Sequence, residues 1–132
     1  MKITADTNLL VRAIVVDNAA QSRAAQAELE SAELVALTLP ALCECVWVLS
    51  RHYKFANDQI AMVLRRLLDA ENVAADHPAI EAGLDMLDAS GDFADGVIAD
   101  AGKWLGAETF VSFDQQAVRL LRARGEAARS PG

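Results

Sequence analysis

Apolar residues fall along this chain in two kinds of run. Short runs that stop at a polar cluster, such as Ile3-Thr4-Ala5 before Asp6 and Leu34-Val35-Ala36-Leu37-Thr38, read as buried strands of a parallel sheet. Longer stretches carry helix formers or a periodic apolar stripe. Leu9 to about Val16 is a short helix closed by the turn residues Asp17-Asn18, and Ala19 to Ser31, rich in Ala, Gln and Glu, is a second. Pro40 opens a third, where its missing N–H does no harm, with Arg51, His52 and Lys54 near its end. Asn57 or Asp58 caps a fourth helix running to about Glu71, with Ile60, Val63, Leu64, Leu67 and Leu68 on one face. Asn72 to Ala75 reads as a further strand. Asp76 and Pro78 start a helix that Gly91 ends, and another runs from about Phe93 to Leu105 before Gly106. Thr109 to Ser112 is the last predicted strand, and Gln115 to Arg124 the last helix.

Strands alternating with helices require crossover connections. The expected fold is therefore α/β, a mostly parallel central sheet with helices on both faces. Ligands of such sheets collect outside the carboxyl ends of the strands. Asp6 and Asp114 both stand just past a predicted strand end.

Composition narrows the function. A chain of 132 residues is expected to form one domain over residues 1–125, with a flexible C-terminal tail over 126–132. The formal charge of -7 opposes loose binding to nucleic acid, so a polyanion would need a local basic strip or a bridging cation. Cys43 and Cys45 are too close together for an ordinary disulfide framework, and neither His52 nor His77 completes a zinc spacing; both cysteines read as small core residues. With no signal-like segment and no apolar run of bilayer length, a cytoplasmic location without membrane contact is expected.

The chemistry sits in the acids. Glu44 is the only charged residue between Leu39 and Leu49, so part of it is expected near the core, where a carboxylate needs a cation or a metal. A salt bridge to Arg51 would answer the same need. Asp92 and Asp95, three apart, share a helix face near its start, and either they or Asp114 could act only as caps. Asp6 or Thr7 could likewise cap the first helix. If the acids instead converge, they repel one another unless a cation is present. A hard ion such as Mg²⁺ or Mn²⁺ suits oxygen-only ligands and can activate water for in-line attack on a phosphodiester.

Four motifs in order, Asp6-Thr7-Asn8, Glu44 within Leu39-Pro40-Ala41-Leu42-Cys43-Glu44, Asp95-Gly96-Val97-Ile98-Ala99 and Ser112-Phe113-Asp114, resemble the PIN-domain nucleases. The resemblance covers nearly the whole chain, and the compact form is similar to the VapC-type toxins of bacterial toxin–antitoxin pairs. It implies a PIN-like three-layer α/β/α sandwich. It further implies Asp6, Glu44 and Asp95 as the main catalytic and metal-holding acids and Asp114 as a fourth. Thr7, Asn8 and Ser112 become polar helpers, while Asp92, outside the core pattern, is an outer candidate. The implied activity is divalent-metal-dependent RNA hydrolysis that inhibits translation, with a homodimer and a small cognate antitoxin as partners. Arg51, His52, Tyr53 and Lys54 offer charge and a ring to RNA, but read better as a solvated helix end with cations at the favourable pole. Two other classes compete. An aspartyl-phosphate phosphotransferase would want a second Asp where Asn8 stands and a lysine after a strand. A non-catalytic module could use the acidic pocket only to receive a basic partner.

Overall fold

In a computed structural model describing all 132 residues, β1 (Lys2–Thr4), β2 (Leu34–Leu37) and β3 (Val73–Ala75) form a parallel sheet in that order. Ile3 lies opposite Val35, and Val35 opposite Val73. The connections are α1 (Thr7–Ile14), α2 (Ala19–Ser31), α3 (Leu39–Arg51) and α4 (Asn57–Asp69). These elements make up one compact unit, Met1–Asp76. Its core is built from the apolar stripe of each helix and from β2, with Leu10, Val35, Leu42, Cys45, Leu49, Ile60 and Leu64 fully buried. Burial pushes the Cys45 thiol up to about 12, so it behaves as a small apolar side chain.

Two local expectations change here. β1 is not buried on both faces: Lys2 and Thr4 are exposed and only Ile3 turns partly inward, because alternate residues of a strand face opposite ways. Neither Asn57 nor Asp58 caps α4. The helix begins at Asn57, and Gln59 Oε1 reaches back to accept from the Ala56 N–H at 2.9 Å.

The second unit, His77–Gly132, contains α5 (His77–Asp88), α6 (Phe93–Trp104), β4 (Phe110–Val111), α7 (Gln115–Ala123) and β5 (Ala128–Arg129). α5 and α6 meet closely because glycine lines their contact. A Cβ on Gly96 would stand 2.3 Å from the Ala82 carbonyl oxygen, and one on Gly83 2.6 Å from the Phe93 ring. Met86, Val118, Leu121 and Ala128 form a buried cluster. The segment expected as a tail carries β5, parallel to β4 with Ala128 opposite Phe110. Buried Ala128 and a 2.7 Å bond from Arg122 Nε to its carbonyl hold that strand in place. Every strand pair is parallel and seven helices connect or flank them, so the fold is of the expected α/β class. No helix is long and apolar enough to cross a membrane.

Candidate active site

Parallel pairing of β1 and β2 sends their carboxyl ends to one edge, where Asp6 follows β1 and α3 follows β2. Thr38 caps α3 by accepting from the Ala41 N–H at 3.4 Å, and Pro40 occupies its first turn. A groove at this edge is lined by Asp6, Thr7, Thr38, Pro40 and Glu44. Asp6 and Glu44 are thus brought together. Asp6 occupies the N-cap position of α1, and its backbone carbonyl accepts from Leu9 and Leu10, yet its carboxylate makes no capping bond. The cap explanation therefore does not account for this side chain. Thr7 is buried beside it and Asn8 is exposed.

Glu44 corrects an expectation. It is exposed, because α3 turns Ala41, Leu42, Cys45, Val46 and Leu49 inward while Glu44 shares the outer stripe with Trp47, which is 62 % exposed. Apolar neighbours in sequence are not neighbours on its face. The alternative salt bridge to Arg51 is not formed, and the Glu44 carboxylate has no hydrogen-bond or ionic partner.

In the second unit the acids are used differently. Asp92 caps α6 by accepting from the Ala94 N–H at 3.0 Å. Asp114 caps α7, its Oδ1 accepting from Ala117 N–H at 3.1 Å, and the N–H of Asp114 donates to Ser112 Oγ at 3.0 Å. Asp95, in the first turn of α6, is half-buried and caps nothing. Burial pushes its carboxyl up to about 6, helped by the negative charges of Asp92 and then Asp114. This unit therefore places Asp92 and Asp114 within electrostatic reach of Asp95. Within neither unit do three acidic, histidine or cysteine side chains form a group that could hold a metal ion.

The PIN domain family model matches residues 3–122, from β1 through most of α7. The chain belongs to the PIN domain family. No curated protein matches it. PIN domains are typically nucleases that use divalent metals such as Mg²⁺. The match spans both units, so Asp6, Glu44, Asp92, Asp95 and Asp114 all fall inside it.

The donors of this PIN domain suit a hard divalent ion in kind. Asp6, Glu44 and Asp95 offer carboxylate oxygens that no protein group engages, and Asp114 keeps Oδ2 outside its cap. The Asp95 carboxyl, raised first by burial and then by the charges of Asp92 and Asp114, is an acid whose ionised form a cation would favour.

A second part of the groove in the first unit holds Asp6, Asn8, Arg12, Glu44, His52 and Tyr53 around about 340 Å³. Of the four residues expected to meet RNA, His52 and Tyr53 line it, whereas Arg51 and Lys54 do not. Their rings stand edge to face, 4.7 Å apart at 81°. Arg12 was not marked by any motif. Its spacing from Asn8, one helical turn on, was the available signal, since residues four apart share a helix face.

Proposed function

We propose that this PIN domain is a divalent-metal-dependent endoribonuclease, the toxin of a VapC-type toxin–antitoxin pair that inhibits translation by cutting RNA. The observation that carries the reading is the split among its acids. Asp92 and Asp114 serve as helix caps, while Asp6, Glu44 and Asp95, the main acids that the motif resemblance implies, carry carboxylates with no structural partner. Two of these carboxylates, Asp6 and Glu44, line one groove beyond the carboxyl ends of β1 and β2, where parallel sheets collect ligands.

In this reading Asp6, Glu44 and Asp95 hold Mg²⁺ or Mn²⁺, directly or through water, with Asp114 as the fourth acid. The ion when bound neutralises charge on the scissile phosphate and activates water. Ser112 positions Asp114 by accepting its N–H, Asp92 stands further out, and Thr7 and Asn8 frame Asp6. His52 and Tyr53 supply ring faces and edges for an unstacked base.

A cytoplasmic enzyme that attacks cellular RNA needs restraint from a separate protein. An antitoxin segment bearing Arg or Lys fits the acids, since a guanidinium fork engages carboxylates in two directions and would compete with the ion. A homodimer is the proposed assembly. The deciding experiment incubates total cellular RNA with the protein, with Mg²⁺ or Mn²⁺ or with chelator, and maps the cut ends. Defined cuts that require metal and vanish in Asp6→Asn are expected. Absence of cutting together with tight binding of a basic partner would favour the non-catalytic module instead.

A further inference from the structure

We propose that Arg12 is the phosphate seat of the first unit's groove, a pre-oriented guanidinium that receives a phosphate of single-stranded RNA near the one being cut. The inference rests on the ribonuclease reading above. With 19 Asp and Glu against 12 Lys and Arg, the chain as a whole repels a polyanion, which must be met by local charge. Among the residues lining the two parts of the groove that contain Asp6, Arg12 is the only lysine or arginine.

Its side chain is 31 % exposed and held at two points. Nη1 donates to Asp17 Oδ1 at 2.7 Å, and Nη2 donates to the Tyr53 hydroxyl at 2.6 Å. Tyr53 is itself braced, by the His52 ring and by a 3.5 Å bond from its hydroxyl to Asp17 Oδ2. A guanidinium has five N–H donors, so two anchors leave others for a ligand. Fixing the fork beforehand removes part of the ordering cost of binding phosphate. The brace ties α1, which follows Asp6, to the end of α3, which carries Glu44, so the seat is registered to both acids. A plain strut explains the anchors but not their place beside free carboxylates, and an ion pair this exposed contributes only about 0–1 kcal/mol.

The test is binding of a short fluorescent oligoribonucleotide across a salt series, in full-length Asp95→Asn, which leaves every groove residue in place. Arg12→Gln should weaken binding roughly tenfold and reduce the slope of log affinity against log salt by about 0.7, the loss of one phosphate contact on a single strand. Arg12→Lys should keep the slope and lose affinity, because it retains charge without the fork. Asp17→Asn should leave the slope unchanged. Affinity and slope equal to the parent in Arg12→Gln, with wild type still cutting RNA, would overturn the assignment of Arg12 alone. Failure of the parent to bind and of wild type to cut would remove the ribonuclease reading and this inference with it. Should Arg12→Gln not fold, Arg12→Lys decides: parental affinity overturns the proposal.

Discussion

The two units of this PIN domain treat the same kind of residue in opposite ways. In the N-terminal unit Asp6 and Glu44 stand exposed and unpartnered, one at a helix start it does not cap and the other on the outer stripe of α3. In the C-terminal unit Asp95 is half-buried, and burial, then the charges of the capping acids Asp92 and Asp114, raise its carboxyl to about 6. Solvated acids cost the fold little when left free, whereas a crowded one costs something until a proton or a cation arrives. A cation reaching Asp95 should therefore be felt energetically within the C-terminal unit.

The largest expected effect is on cleavage. Asp6→Asn, Glu44→Gln and Asp95→Asn should each lower it about a hundredfold or more, the scale on which one charge-stabilising group acts. Asp92→Asn should stay within roughly tenfold, since Asn remains a good N-cap and the residue lies outside the family pattern. Rates on one RNA decide it, and full activity in Asp95→Asn would confine the chemistry to the N-terminal unit.

Gly96 tests how firmly the crowded acid is held. Gly96→Ala drives a Cβ to 2.3 Å from a carbonyl oxygen and should cost about 1–3 kcal/mol, lowering the melting temperature by several degrees. In Gly102→Ala the nearest atom outside the helix's own backbone is the Ala107 Cβ at 3.8 Å, so that change should be neutral or slightly stabilising. Equal melting of the two variants would show that α5 and α6 can part without cost.

Saturating Mn²⁺ should raise the melting temperature, by about 2.7 kcal/mol of stability at a hundredfold excess over Kd, with a smaller gain in Asp6→Asn. Identical responses in both proteins would remove Asp6 from the ion's ligands.

The smallest effect concerns metal-free protein and pH. Folded Asp95 binds its proton more tightly than the unfolded chain does, so its contribution is present below about pH 4, the unfolded value, and is lost as pH rises through about 6. Since the carboxyl keeps partial contact with solvent, the loss should be about 1 kcal/mol. Asp95→Asn should flatten that slope. Denaturant titrations at pH 4 and pH 7 in chelator measure it, and an unchanged slope in Asp95→Asn would assign the pH response to other groups.

Helices, most strands and the two acidic caps were legible in the residues because they depend on local physics. Period, proline placement and an acid just before a helix act within a turn or two, and α2 begins and ends where its composition says it should. The family was legible because short motifs in order along the chain resemble it, and the family model matches residues 3–122. Three things were decided only by tertiary structure. Which face of α3 turns inward depends on what packs against it, so Glu44 points to solvent despite apolar neighbours. β5 exists because β4 offers an edge and the core offers room for Ala128, neither of which residues 126–132 encode alone. Arg12 meets Tyr53 across 41 positions of sequence, a distance over which no local rule selects a partner.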